Sequence, residues 1–566
     1  MKQKYEEIPV PANARDRMLA GIRQAKEEKE RSVSGVISLE DRKGRKNMKK
    51  RNIISFLTGT ALLFSMPACT NLDETVYDNV PADSFGYTDS EISVLVGTVY
   101  KTLKNYPADG NFIALDVMSG SDAVTPTRKG GDWYDGGQYR ELHMHAWTAN
   151  TSAVKNAWSR STEAISACNL IYETISTSAL EESVKARALA EIRGVRAFWI
   201  YYLMDNWGNV PLSIDYNDTE LPTCKTRKEV YDWLVKEVNE IKDLLREDVS
   251  DASYGKFTKG AAYTLLAKLY LNAEAWGVDS PRYKEAADAC DVVMGLPYIL
   301  EANWKTNFQV NNQQSREAIL ACCFSANDTE WQNQLHYRTL HYKDNIPLGA
   351  TFSAWNGICA QPDYVLLFDK EDPRYEGSFL VGPSIDPATG KVLITAHDRP
   401  LIHTPEVTVI PGTERDGTIW GDVNQEDGAR CNKWTFDKSL TNAMENDFHI
   451  FRLADVYLMK AECLIRTGGN NAEATRLVNA VRERAYGNSN HNYASVDLEK
   501  IALERKFELA WECHARQDNI RFGTFQNARW LKSETKGKDY MNIFPISQDA
   551  WQTNQNLKQN PGYPAF

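Results

Sequence analysis

The sequence has no run of about twenty apolar residues, the length a membrane-crossing helix needs, so a bundle of membrane-spanning helices is disfavoured. Cysteine is sparse, ten in 566 residues with no Cys-x-x-Cys pair, which excludes a disulfide-built fold and gives no sign of a cysteine zinc site. No Gly-x-Ser-x-Gly, His-Glu-x-x-His or P-loop pattern occurs, so the familiar hydrolase, metalloprotease and nucleotide signatures are missing. Positive charge is in deficit, 65 Lys and Arg against 76 Asp and Glu, and the net −11 argues against a nucleic-acid groove. A hydrophobic share of 42% with 25% charged residues is ordinary, which removes disorder as a general description. Aromatics are abundant. The fifteen tryptophans are about twice what average usage would give. The length calls for one large domain or two fused ones.

The charge is unevenly divided. Residues 1–68 carry fifteen Lys and Arg against eight Asp and Glu, a net of +7, and the remaining residues stand at −18. The boundary has the form of an export signal: a basic stretch from Met48 to Asn52, fourteen largely apolar residues at 53–66, then Pro67-Ala68-Cys69. A small residue directly before a cysteine resembles a lipoprotein signal, in which Cys69 is lipidated and becomes the mature N-terminus. Pro67 and Met66 depart from the tidier form of that signal, and a plain secretory signal is the competing reading. A basic start of this kind normally opens a protein, so Met48 is the expected translation start. Residues 1–47 would then be a mis-called or unusual leader, 48–68 the signal peptide and 69–566 the mature domain.

Helical spacing of apolar residues predicts helices over 88–104, 153–175, 184–205, 228–246, 258–275 and 282–294, and again over 452–467, 471–486 and 497–517. Several come as adjacent pairs that set alanines against Leu and Tyr and turn at glycine. The pairs are KGAAYTLLAKLYLNAEAWG with PRYKEAADACDVVM, and RLADVYLMKAECLIRTG with NNAEATRLVNAVRERA. Such size alternation lets helical hairpins stack closely, as in tetratricopeptide-like scaffolds. Residues 105–150 and 296–450 are instead punctuated by Gly, Pro, Asn and Asp, with short extended runs at 391–396 and 407–410; long irregular segments in a folded domain are commonly functional. The expected fold is mainly α: a tetratricopeptide-like helical-hairpin scaffold at 88–295 and 450–520, with loop-rich insertions carrying a few short strands and a C-terminal tail at 541–566.

Six blocks in order resemble the SusD/RagB family of outer-membrane nutrient-binding lipoproteins. They are AEIRGVRAFWIYYLMDNWGNVPL (190–212), KGAAYTLLAKLYLNA (259–273), FRLADVYLMKAECLIRTGG (451–469), AEATRLVNAVRERAYG (472–487), IALERKFELAWECHARQDNIRFG (501–523) and MNIFPISQDAWQTNQNLKQNPGY (541–563). The resemblance covers the chain from Cys69 to Phe566. It implies four tetratricopeptide-like units and a lipid-anchored protein on the cell surface. Such a protein is not an enzyme: it captures oligosaccharides, or in some lineages peptides, and hands them to a SusC-type TonB-dependent transporter. Asp73-Glu74 after Cys69 suits an acidic surface-export signal. A surface glycosidase and a protein-binding scaffold are the remaining alternatives.

Several charged groups invite a chemical role and have plainer readings beside it. Arg452, Asp455 and Glu462 share a helix face, as do Glu504, Glu508, Glu512 and Arg516, and both sets read as pairing within the scaffold. His143-Met144-His145 would place two imidazoles on one face of a strand, but no third metal ligand accompanies them. The run 422–428 (DVNQEDG) has the outline of a calcium loop with its glycine one place late and its terminal Glu missing, so an EF-hand is rejected and only an irregular structural calcium is left open. No other cofactor is expected. Cys322-Cys323, in the apolar run AILACCF, are read as core residues.

The aromatic loops are the stronger candidates for a ligand. Sugar rings present flat C–H faces that pack on Trp and Tyr, while their hydroxyls need Asp, Asn or Arg in the same wall. Residues 128–137 (RKGGDWYDGG) supply Arg128, Asp132, Trp133 and Tyr134 on a glycine-hinged loop. Trp331, Trp355 and Asn356 in the second irregular stretch are expected to form the opposing wall. Each aromatic has burial against the scaffold as its alternative.

Overall fold

The structure is a computed structural model that describes residues 89–107, 113–325, 333–440 and 444–566. The export signal, Cys69, Asp73-Glu74 and Trp331 lie outside the described residues.

The helices follow the apolar spacing of the sequence, and some of them open at a side-chain cap. The first, α1 (Asp89–Leu103), precedes a short α2 (Gln138–Met144), and two long helices follow, α3 (Ser152–Ser176) and α4 (Glu182–Trp207). Gly208, at φ +71°, stops α4 where a side chain would be strained. Thr226 opens α5 (Arg227–Ile241) with a reciprocal capping box to Glu229, and Thr258 caps α6 (Lys259–Asn272) through the Ala261 N–H. Helix α7 (Tyr283–Gly295) follows, then, far along the chain, α8 (Leu453–Arg466), α9 (Asn471–Tyr486), α10 (Leu498–Leu509) and α11 (Ala515–Arg521).

The pairing is that of stacked hairpins. Helix α3 packs on α4, α6 on α7 and α8 on α9, while α4–α5, α7–α8 and α8–α10 contacts join one hairpin to the next. Small residues make the close approaches. A Cβ added at Gly194 of α4 would lie 2.1 Å from the Phe257 ring, and one at Gly260 of α6 would lie 2.4 Å from the Tyr298 hydroxyl. The apolar core runs without a break from Val99 and Trp199 through Leu265 to Phe308, Trp434 and Phe544, so scaffold and insertions share it.

Two five-residue strands, β1 (Ala318–Cys322) and β2 (Phe448–Arg452), pair antiparallel with Phe448 opposite Cys322 and Arg452 opposite Ala318, and every residue of both is buried. They pin together the two ends of the long second insertion. The remaining strand pairs are two residues long, and the extended runs expected at 391–396 and 407–410 make only isolated bridges, such as Ile394 with Pro400 and Val409 with Val423.

Several expectations are corrected. The helix expected over 497–517 is two helices, because Trp511 and Cys513 adopt φ of +69° and +61°, which no helix accommodates. His143 lies in α2 and His145 caps it at φ +53°, so the two rings are not on a strand. Both are buried; the His143 ring contacts the Trp530 carbonyl and the His145 ring the Ser119 carbonyl at 2.9 Å. Cys322 is buried but Cys323 is exposed, the alternation of a strand end. Arg452 precedes α8, in β2.

The tempting charges form a buried ionic lattice. Arg452 pairs with Glu317, Glu508 and Glu512; Arg374 with Asp372, Glu504 and Glu508; and Asp455 with Lys268 and Arg505. Glu462 accepts from Arg521 and Arg466, and Arg516 pairs with Asp205. Each charge named in this lattice has an opposite partner, which is the condition for carrying it inside a protein.

Candidate functional site

The two aromatic loops, over two hundred residues apart in sequence, meet. The first is shaped by backbone that side chains rarely adopt. Gly130 and Gly131 take φ of +102° and +92°, and Trp133 and Asp135 themselves sit at +64° and +43°. Strain of this kind in non-glycine residues persists where surrounding contacts fix it, and it gathers at ligand sites. The turn is closed by the Arg128 N–H donating to the Asp132 carbonyl at 2.8 Å, and it is tied to the second insertion by the Lys129 N–H donating to the Val423 carbonyl at 2.7 Å.

The Trp133 indole N–H donates to the Trp355 carbonyl at 2.6 Å, and the ring lies against Gly357, where an added Cβ would come within 2.5 Å of it. Trp355 packs on Tyr337 with ring centres 5.0 Å apart, and Trp133 on Tyr139 at 5.7 Å. The Arg338 guanidinium stands over both tryptophans, 5.3 Å from one ring centre and 5.4 Å from the other. Burial lowers its pKa to about 10, and the ring faces offset part of that cost. Beside this group is a small recess walled by Ile113, Met118, Trp133, Tyr139, Leu335 and Arg338.

The outer rim is polar. Tyr134, half-buried, donates from its hydroxyl to Asp416 at 2.5 Å and lies under the Arg415 guanidinium at 5.6 Å. Arg140 also binds Asp416, at 2.8 Å, and these two donors hold the Asp416 carboxyl below the usual carboxylate range. Exposed Asp132 accepts the Tyr342 hydroxyl and, at 3.1 Å, the Trp133 N–H.

Of the residues expected from sequence, the structure brings Asp132, Trp133, Tyr134 and Trp355 to one accessible or half-accessible face. Arg128 and Asn356 are placed otherwise: both are fully buried. Arg128 donates to the carbonyls of Asn356, Gly357 and Asp427 at 2.8 Å each, and the Asn356 amide bridges the Gln425 carbonyl and Arg430. They hold the loops together from inside, because a guanidinium and an amide are the side chains able to satisfy several converging carbonyls. Arg338, Tyr139, Tyr342, Arg415 and Asp416 were not singled out from sequence; they stand in no local motif with Trp133.

The 422–428 loop uses its acids within the protein. Asp422 accepts from Arg415 and the Gly130 N–H, Glu426 pairs with Arg399, and Asp427 accepts the Thr408 N–H. Among the described residues no group of three or more His, Cys, Asp or Glu is placed to hold a metal ion, and no helix is long and apolar enough to cross a membrane.

Two family models match the chain: the SusD family over residues 316–563, and starch-binding proteins associating with the outer membrane over residues 96–271. The starch-binding protein SusD of Bacteroides thetaiotaomicron is 24% identical over 470 residues, covering 76% of this chain and 82% of that protein. SusD-like protein P25 of Formosa agariphila is 24% identical over 552 residues, covering 91% of this chain and 100% of its own length. Among solved structures, a laminarin binding SusD-like protein superposes with TM-score 0.66 at 23% identity, over 84% of this chain and 100% of that one. Surface glycan-binding protein A from Bacteroides fluxus gives TM-score 0.66 at 18% identity, over 84% and 100%. These structural likenesses establish the fold.

Proposed function

We propose that this chain, which belongs to the SusD/RagB family, is a cell-surface receptor that binds an oligosaccharide on the face built by Trp133, Tyr134 and Trp355 and releases it unaltered. The observation that carries the reading is the meeting of the two tryptophan loops around Arg338, with exposed Asp132 and Asp416 on the rim. Half-open aromatic rings offer platforms for the C–H faces of a sugar, and the rim acids and Arg415 offer partners for its hydroxyls. Relatives named for binding starch and laminarin support a glycan as the ligand.

A glycosidase needs one carboxyl held protonated beside one ionised. At this rim Asp416 is held ionised by Tyr134 and Arg140, which suits accepting a hydroxyl proton in a hydrogen bond and not delivering one. In this reading Cys69 carries the lipid that keeps the receptor at the outer membrane, and the partner that receives the glycan is a SusC-type TonB-dependent transporter.

Calorimetry with laminarin and starch oligosaccharides, followed by chromatography of the recovered sugar, tests the function. Binding with no shortening of the chains is expected, and Tyr134→Ala should weaken it by about five- to tenfold with the fold retained. Shortened products would make the protein an enzyme, and binding of peptides with no glycan binding would replace the ligand class.

A further inference from the structure

Asp132 on the rim is held by contacts that run inward through Tyr342. The Tyr342 hydroxyl donates to Asp132 Oδ2 and the Trp133 N–H donates to Oδ1, so the two together set the direction of the carboxylate. Tyr342 stands on a tight turn: the His341 N–H donates to Asp344 Oδ2 at 2.7 Å, and the Asp344 N–H donates to the His341 carbonyl at 2.9 Å. The chain entering this turn is bound to the other tryptophan loop. The carbonyls of Tyr337, Leu340 and Arg338 receive the N–H groups of Trp355, Asn356 and Gly357. Tyr342 therefore joins the two loops.

The carboxylate that closes the turn is buried, 3% exposed, and is fastened from a third segment. Ser384 donates to Asp344 Oδ1 at 2.7 Å, and His403 Nε2 lies 3.0 Å from Oδ2 and 3.2 Å from Oδ1. His403 belongs to the strand Ile402–His403, which pairs with Gly382–Pro383 just before Ser384. Its other ring nitrogen, Nδ1, is 3.2 Å from the Glu426 carbonyl. A carbonyl and an ionised carboxylate only accept, so each ring nitrogen carries a proton and His403 is the imidazolium. Burial alone would raise the Asp344 carboxyl, but His403, Ser384 and the His341 N–H outweigh it and hold it well below the usual carboxylate range. Of the titratable groups packed around the pair, the His341 ring is 6.5 Å from that of His403, and burial lowers its pKa to about 3. Glu426 pairs with Arg399, Arg430 donates to Asn356 and the Gln425 carbonyl, and the Lys343 ammonium donates to the Ile394 carbonyl.

We propose that His403 and Asp344 are positioning residues for the ligand face: the imidazolium–carboxylate pair locks the 341–344 turn, and Tyr342 carries the lock to Asp132. Its effect on a glycan rests on the receptor reading above. A neutral imidazole has one N–H, so on losing a proton His403 must give up either Asp344 or the Glu426 carbonyl. Asp344 is ionised across the range in which histidines change charge, so the lock holds at the acid end and loosens as pH rises. Once the turn is loose, Tyr342 no longer fixes the Asp132 carboxylate. An acceptor that must be oriented at the moment of binding costs affinity.

Nitrogen-15-labelled full-length protein, titrated from about pH 5 to about pH 9, tests the lock by NMR. At the acid end both His403 ring nitrogens should show the imidazolium signature. As that signature is lost, the Trp133 backbone amide, which donates to Asp132, should shift over the same pH span. Affinity for laminarin or starch oligosaccharides should fall about three- to tenfold across it. Tyr342→Phe keeps the pair and cuts its link to Asp132, so the His403 signature should titrate as before while the Trp133 amide and the affinity no longer follow it. His403→Gln should give a pH-independent affinity near the parent's alkaline value. If that buried substitution fails to fold, Tyr342→Phe, at a half-buried side chain, decides the question. The proposal is overturned if His403 is neutral throughout, if the Trp133 amide does not follow its titration, or if Tyr342→Phe keeps the parent's coupling. An amide that follows His403 in a protein that binds no glycan would sink the receptor reading and leave the lock standing.

Discussion

Gly357 shows how much of the ligand face depends on one missing methyl group. Its backbone needs no left-handed conformation, so the only reason for glycine is the Trp133 ring lying on it. In Gly357→Ala the new Cβ would meet ring atoms at 2.5–2.9 Å, and the indole must tilt away from its hydrogen bond to the Trp355 carbonyl. We expect a destabilisation of about 1–3 kcal/mol, as for overpacking elsewhere, with a larger relative loss of glycan affinity. Thermal melts and calorimetry on the same variant check this; unchanged affinity would show that Trp133 only fills space. At this scale the sequence was informative about chemistry and silent about partners. Trp133 and Trp355 were legible as sugar-facing types on irregular chain, but Arg128 and Asn356 carried the same chemistry and turned inward. Nothing local distinguishes a guanidinium that meets a ligand from one that meets three backbone carbonyls.

At the scale of elements, apolar spacing located the long helices, and glycine marked the ends of α4 and α9 at Gly208 and Gly487. The break between α10 and α11 was hidden because Trp511 and Cys513 are not residues that announce positive φ. The packing of α8 and α10 was legible only as a stripe of charges. In the structure that stripe is internal: Glu508 receives Arg374, Arg452 and Arg484. Burial alone would raise the Glu508 carboxyl, but Arg484, Arg452, Arg374 and Lys433 outweigh it and bring it down to about 2. A carboxyl depressed on folding stabilises the native state fully above its unfolded pKa, near 4.5, and loses that contribution as pH falls toward about 2. Glu508→Gln should therefore cost about 3–5 kcal/mol near neutral pH, leaving three guanidiniums short of a partner. The gap to the parent protein should narrow as pH falls from about 5 to about 2. Denaturant titrations across that range measure the gap; a constant gap would place the effect in packing.

For the molecule as a whole, the C-terminal tail connects the scaffold to the ligand face. The Asn560 amide donates to the carbonyls of Trp207, at the end of α4, and Phe544, at 2.7 and 2.9 Å. The Tyr563 hydroxyl donates to the Ile543 carbonyl at 2.6 Å and receives the Trp147 indole N–H at 2.7 Å. Trp147 follows His145, the cap of α2, and α2 carries Tyr139, on which Trp133 packs. A chain of contacts thus runs from the last residues to the candidate platform. Sequence could not trace it, since two of its links, Asn560 to Trp207 and Trp147 to Tyr563, are single hydrogen bonds between segments hundreds of residues apart. Removing residues 560–566 leaves the Trp207 and Phe544 carbonyls and the Trp147 N–H without these partners. Each such loss costs about 1–3 kcal/mol locally, so the effect should appear as local opening before global unfolding. Hydrogen exchange should speed up around residues 144–148 and 206–210 while α8 and α9 keep their protection, and glycan affinity should fall with the loosening of α2. Faster exchange with undiminished affinity would mean that Trp133 is held by Gly357, Trp355 and Arg338 alone, and the tail would then serve the scaffold only.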